Sequence, residues 1–426
     1  VSTSKKGFDR RTVLKAGAAA AAVGGISMPA YAQSRTIKIG YVSPQTGPLA
    51  GMAEADNFTL EAVRSTIGAG LQIGNTTHPV EIIVRDSQSN PNRASEVANE
   101  LILGQEVDLM VVSSTPENVN PVADACELNE IPCLSNGAPW QAYFFTRGGN
   151  PATGFDWTYH FFWGLEDMVA VFTNMWDKID SNKKVGGLFP NDADGNALGD
   201  PMTGFPPGMG ERGYSVFDPG RYQNGTDDFT SYITGFKNEG CDLVTGVPIP
   251  PDFTTFWTQA KQQGFNPKAV SVGKATLYPV NLEALGDAGN NLSSEVWWSP
   301  NHPFSSSLTG QSAGELAAAY TAFTGRQWTA PIGMIHSLFE VAIDILKRSG
   351  GGDAAAIRDA MAATSLNTVF GPIAWGSGPV KNVAKTPLVG GQWRLNSGSG
   401  NKYDIVIVSN ESYPDVPVGG EMLPLS

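Results

Sequence analysis

The feature that most constrains this chain is its repeated change of hydrophobic period. TIKIGYVSP (Thr36–Pro44) alternates apolar and polar residues, then meets turn chemistry in QTGPLAG. EADNFTLEAVRSTIGAG follows with helical spacing and ends at Gly68 and Gly70, a C-cap signal. VEIIVRDSQSNP reads as a strand, NRASEVANELILGQ as a helix and VDLMVVSSTPENV as a short β-branched strand. NPVADACELNE is helical again, and IPCLSNGAPW returns to a strand. Strands that alternate with helices pair in parallel, because each helix is the crossover that brings the next strand back. The fold class expected is α/β, with helices covering parallel sheets and right-handed crossovers.

A second series repeats the pattern. Phe155–Ile179 is an aromatic strand leading into a helix. KVGGLFPND, YSVFDPGRYQ, CDLVTGVPIPP, KAVSVGKA and SEVWWSPNHP read as strands, with helices DDFTSYITGFKNEG and TTFWTQAKQQGF among them. AGELAAAYTAFTG, IGMIHSLFEVAIDILKRSG and DAAAIRDAMAATS are helices, and the tail from TVFGPIAW to YDIVIVSN reads as β structure. Two α/β halves with a C-terminal return are expected, without short-period repeats.

The N-terminal stretch has another logic. Arg10-Arg11 precede an Ala/Gly-rich apolar run of 13 residues, Ala16–Met28, which ends near Ala30-Tyr31-Ala32. A spanning helix needs about 20 apolar residues, and no polar face with helical period is present. A basic region, a short apolar core and an A-x-A site make an export signal. Residues 1–32 are expected to be cleaved, leaving a periplasmic chain from Gln33; Arg10-Arg11 resemble a twin-arginine signal, but Val13 stands where a Phe is usual, so the Sec route stays open. No Cys lies near that point to carry a lipid anchor.

The net charge is −13, and the leader holds five Lys/Arg against one acid, so the remainder is more acidic still. Such a surface repels nucleic acid and anionic lipid, and neither is an expected partner. Three cysteines, Cys126, Cys133 and Cys241, are either buried thiols or, for the first two, a small disulfide loop. No Cys-x-x-Cys occurs and the four His are scattered, so no metal and no cofactor are expected.

Ligands of parallel sheets gather at the carboxyl ends of strands. Here those ends read SPQTG, SSTPEN, SNGAPW, PNDADG, VPIPP, GKAT and WWSPN, small polar residues mixed with aromatics. Convergent loops of this kind suit a cleft that orients a polar head and holds an apolar body.

In their order and spacing, IGYVSPQTGPLAG, VDLMVVSSTPENVNPVAD, NEIPCLSNGA, TQAKQQGF and TVFGPIAW resemble the type I periplasmic solute-binding proteins of ABC importers. The branch is the leucine/isoleucine/valine-binding, or branched-chain amino-acid, one. The resemblance implies two doubly wound lobes joined by three crossover strands and closing by hinge bending. Lobe 1 would comprise 35–160 with 300–372, and lobe 2 161–299 with 373–426. It places the carboxylate-holding serine at Ser113 or Ser114. The next loop, Ser135 to Trp140, would offer Asn136, Trp140 and backbone groups at Gly137 and Ala138. Met52 takes an aromatic wall position, one family tyrosine falls on Asp194, and another falls near Pro248 and Ile249. Trp298 matches an aromatic contact, and Trp163 sits at a predicted crossover facing the cleft. The acid that would pair with a ligand ammonium should lie in VGKATLYP, where Lys274-Ala275 stand and no carboxylate does. A buried ammonium needs an anion. Either Asp194 supplies it, or the ligand is a carboxylate that pairs with Lys274; short amides and ureas also remain open.

Catalytic patterns fail on context. Gly310–Gly314 matches G-x-S-x-G, but PFSSSLT before it is no buried strand, so Ser312 reads as a helix start. NDADGNALGD lacks the glycine and glutamate of a calcium loop. The expected function is capture of a small organic solute, an amino acid or a carboxylate with an apolar or aromatic body. Its delivery to an ABC permease would be by a monomer that is no enzyme and inserts in no membrane. A sensor on the same fold and a secreted hydrolase are the alternatives.

Overall fold

The computed structural model describes residues 34–396 and 398–425, so the expected export signal lies outside the described residues. Residues 36–426 form one compact unit.

Twelve strands carry the architecture: β1 (Ile37–Ser43), β2 (Val80–Asp86), β3 (Leu109–Ser113), β4 (Cys133–Asn136), β5 (Thr158–Phe161), β6 (Lys184–Pro190), β7 (Leu243–Gly246), β8 (Ala269–Val272), β9 (Ser293–Val296), β10 (Val383–Ala384), β11 (Val389–Leu395) and β12 (Tyr403–Ser409). The first sheet runs β10-β5-β4-β3-β1-β2 and is parallel throughout. The second runs β6-β7-β8-β9-β11-β12, parallel as far as β9 and antiparallel beyond it. The short strands Ser215–Phe217 and Arg221–Tyr222 pair with β6 on its other side. Two lobes of the type expected result, one per sheet. One boundary moves: β10 pairs with β5, so the chain just before residue 385 belongs to the first sheet rather than the second lobe. Two consecutive residues suffice to dock an edge strand, and they carry no long periodic signal.

Local chemistry sets the elements. Asn90 caps helix Pro91–Asn99 by accepting from the Asn92 and Arg93 amides. Ser312 and Glu315 form a capping box at helix Ala313–Thr324, which Gly325 ends in the left-handed region. Ser312 is thus a helix cap, as its context implied. Helix Pro331–Arg348 is buried along nearly its whole length, and Phe339 meets Tyr41 of β1 edge-on at 5.3 Å. The Tyr41 and Ser43 hydroxyls both donate to Asp56, the first residue of helix Asp56–Ile67, and lock β1 to it. Cys126, Cys133 and Cys241 are buried free thiols. No described helix is long and apolar enough to cross a membrane.

The chain passes between sheets three times, near Phe162–Gly164, Trp297–Ser299 and Lys385–Leu388. Glu166 ties two of these passages to the first lobe. Its carboxylate accepts from the Trp140 indole at 3.1 Å and the Gln141 amide, and pairs with Lys385 at 2.9 Å. Gly164 is required beside them, because a Cβ there would stand 2.3 Å from the Trp140 indole nitrogen. Glu166→Ala is expected to lower stability by about 1 kcal/mol, since the pair is half exposed and solvent screens it. Urea denaturation should show the deficit at low salt and a smaller one in 1 M salt, where the ionic part is screened.

Candidate functional site

In each sheet there is one place where the connections leave in opposite directions. In the first it is β1 against β3, and in the second β6 against β7. Loops diverge at such switch points and leave a crevice at the carboxyl ends. The two crevices share one partly open cavity. The loop after β1 supplies Leu49 and Met52, the residue before helix Pro116–Leu128 supplies Thr115, and the loop after β4 supplies Gly137 and Pro139. From the other lobe come Met168, Asp194, Leu198, Val247, Pro250, Gly273, Lys274, Leu277, Tyr278 and Glu295. Trp163 and Trp297, on two of the passages between lobes, complete the wall.

One end of this cavity is strongly charged. The Lys274 ammonium lies 2.7 Å from Asp194 and 3.4 Å from Asp192, and all three side chains are nearly buried. Burial alone would lower the Lys274 pKa; Asp194, Glu117 and Asp192 outweigh it and hold the group above its ordinary value. Burial pushes Asp194 up to about 7 despite Lys274 beside it. Asp194 Oδ1 is buried without a hydrogen-bond partner among the described residues. Lys274 adopts φ +55°, the left-handed region that a lysine rarely occupies. Glu117 crosses the cleft: from the first lobe it accepts the Ala193 amide of the second at 3.0 Å.

Glu295 lies within β9, fully buried, and burial drives its carboxyl up to about 8. The Ser294 hydroxyl donates to its Oε2 at 3.1 Å. On the first lobe, the hydroxyls of Ser113, Ser114 and Thr115 are buried and lack partners among the described residues. Gly137 sits at φ +93° against Ser114, where a Cβ would come 2.7 Å from the Ser114 carbonyl oxygen. Only glycine allows that approach.

Of the residues singled out in the sequence, Met52, Gly137, Trp163, Asp194 and Lys274 share the cavity wall. The others sit elsewhere. Ser113 closes β3 and Ser114 follows it, but the wall residue and helix N-cap is Thr115. Asn136 donates to the Met334 carbonyl, and the Ala138 carbonyl accepts from the His160 ring. Trp140 serves Glu166. Ile249 lines an adjoining cavity with Glu117, Asp192 and Lys274, whereas Pro248 lies outside both walls. Trp298 donates to the Val369 carbonyl at 3.1 Å, and its neighbour Trp297 takes the wall. The strand ends at Val296, and beyond it Trp297 turns to the cavity while Trp298 turns to Val369. Sequence reasoning missed Glu295 and Tyr278. Glu295 had a signal: one acid inside SSEVWW, a segment otherwise suited to burial.

With that geometry in place, comparison with known proteins is specific. A family model described as periplasmic binding protein matches residues 36–399. A leucine-binding protein, LivK, from Thermotoga maritima superposes with a TM-score of 0.71 at 17% identity, covering 88% of this chain and 99% of its own. The branched-chain amino acid transporter substrate-binding protein LivJ from Streptococcus pneumoniae, in complex with isoleucine, gives 0.68 at 16% identity, covering 87% and 99%. An ABC-transporter solute-binding protein from Rhodopseudomonas palustris, in complex with 3,4-dihydroxybenzoic acid, gives 0.69 at 18% identity, covering 87% and 96%. At these identities the likeness concerns the fold.

Two outcomes follow from the site. The Glu295 carboxyl binds its proton more tightly folded than unfolded, its value rising from 4.5 to about 8. Its contribution to stability is therefore complete below the lower value and lost as pH rises through the upper one. Glu295→Gln should flatten the melting temperature between pH 5 and 9 and raise it above the parent's at the alkaline end. Gly51, in the turn after β1, abuts the Tyr278 ring of the other lobe, and a Cβ there would stand 3.0 Å from it. Gly51→Val should hold the lobes apart and weaken ligand affinity by about tenfold or more, the scale of an overpacked contact. Calorimetric titration would measure that loss, with the melting temperature little changed.

Proposed function

Because the chain belongs to the periplasmic binding protein family, we propose that it is the solute-binding component of an ABC importer, capturing an α-amino acid with a sizeable apolar or aromatic body. The observation that carries this reading is the buried Asp194 Oδ1, without a partner among the described residues, in a cavity shared by both lobes. Lys274 is already matched by Asp194 and Asp192, with Glu117 and Glu295 close enough to act on Asp194 or feel it. Carboxylates outnumber cations here, so a cationic group entering the cavity is favoured over an anionic one. The ligand ammonium would rest on Asp194. Its carboxylate would take the Thr115 hydroxyl and the backbone beside Gly137, where the amino end of helix Pro116–Leu128 favours negative charge. Met52, Trp163, Met168 and Val247 would hold the body.

A ligand that touches both lobes stabilises the closed arrangement by its differential affinity for it. The closed form would then dock on the permease and release the solute. The solved isoleucine complex of a similar fold supports an amino-acid ligand. A second reading has its own support: Lys274 lines the cavity, and a similar fold binds an aromatic acid, so a carboxylate could displace Asp194 from it.

Titration calorimetry with branched-chain and aromatic amino acids, their deaminated carboxylates, and short amides decides between them. Amino acids are expected to bind with Kd of about 1 μM or tighter, equivalent to about 8 kcal/mol. Asp194→Asn should weaken them by about a hundredfold or more, the scale of an unpaired buried ammonium. Binding of carboxylates alone, abolished by Lys274→Met, would establish the second reading instead.

A further inference from the structure

Eight tryptophans of the described residues are buried. Six of them donate their indole N–H to a protein acceptor, among them Trp176 to Ser271, Trp298 to Val369 and Trp393 to Thr276. The two that do not are Trp163 and Trp297, each 3% exposed, and both line the cavity. A buried donor left unpaired costs about 1–3 kcal/mol. Both belong to residues of one cavity wall, while each of the other six buried indoles among the described residues has an acceptor. Their rings lie 6.5 Å apart, on neighbouring passages between the lobes.

Glu295 belongs to the same wall. The Trp297 N–H lies toward its carboxyl and slightly favours the ionised form, without reaching hydrogen-bond geometry. Burial dominates and holds the carboxyl protonated at neutral pH, so it can donate as well as accept.

We propose, resting on the reading of this cavity as an amino-acid site, that it selects a ligand whose side chain ends in a hydrogen-bond-accepting oxygen, seated among the Trp163 and Trp297 indoles and the Glu295 carboxyl. A hydroxyl or amide carbonyl supplies such an oxygen; an aliphatic side chain leaves the indoles unpaired. A site built on donors discriminates against the analogue that lacks their acceptor far more strongly than an apolar pocket discriminates by size. Trp163, Trp297 and Glu295 are thereby specificity-determining, whereas Asp194 and Thr115 serve groups common to all amino acids.

The test is titration calorimetry of the full chain at pH 7 with pairs that differ at the terminal group: valine and threonine, methionine and glutamine, phenylalanine and tyrosine. At least one oxygen-bearing member is expected to bind about tenfold tighter than its partner or more. Trp163→Phe and Trp297→Phe should each bring that ratio to within about threefold of unity, with melting temperatures confirming that the variants fold. Glu295→Gln, which still presents an N–H donor, should retain the preference. Apolar members binding as tightly as their partners in every pair would overturn the inference and leave the amino-acid reading standing. No binding by any amino acid would overturn both. Benzoate and 4-hydroxybenzoate would then separate a carboxylate site with a distal donor pair, seen as preference for the latter, from a cavity that binds neither.

Discussion

Parallel strand pairing is the constraint on which the rest of this protein depends. A parallel sheet needs a crossover after every strand, and those crossovers place all the strand carboxyl ends along one edge. Two such sheets set their switch points against a common cavity, β1 with β3 on one side and β6 with β7 on the other. Met52 and Thr115 come from the first pair of loops, Asp194 and Val247 from the second. The passages between the lobes close the remaining side with two tryptophans. The cavity wall is assembled from segments far apart in the chain because topology, not sequence proximity, brings carboxyl ends together.

Inside that wall, charge and its absence are both arranged. Lys274 meets Asp194 and Asp192 within its own lobe, and Glu117 reaches in from the other by binding the Ala193 amide. Low local dielectric strengthens these pairings and makes any unmatched carboxylate costly. Burial is why Asp194, despite Lys274 beside it, and Glu295 both hold their protons more tightly than free carboxyls. The same argument applies to the neutral donors of Trp163 and Trp297.

Much of the fold was legible. The alternation from TIKIGYVSP to IPCLSNGAPW predicts strands and helices that the structure contains, and Ser312 reads correctly as a cap because its flanks are polar. The site was legible only in part. Asp194 and Lys274 stood out because charged residues at strand ends are conspicuous, but their mutual pairing did not. The family resemblance points to VGKATLYP, with Asp194 as the substitute anion, and so passes over Glu295 on the next strand. Trp298 displaced Trp297 because the passage between the lobes has no ladder to fix which side each residue faces. Ser114 displaced Thr115 because the helix begins at Pro116, inside the segment that reads as strand, which makes Thr115 its N-cap.

The sequence by itself determined the class of architecture, since hydrophobic period and turn chemistry act over a few residues and are written locally. It also determined the chemical supply: few cations, many carboxylates, and aromatics at strand ends. Tertiary structure alone decided which of these share a cavity, which pairs neutralise each other, and which polar atoms are left unpaired. Those outcomes depend on distances between residues far apart in the chain, such as 2.7 Å between Lys274 and Asp194, and on burial that no single segment can establish for itself.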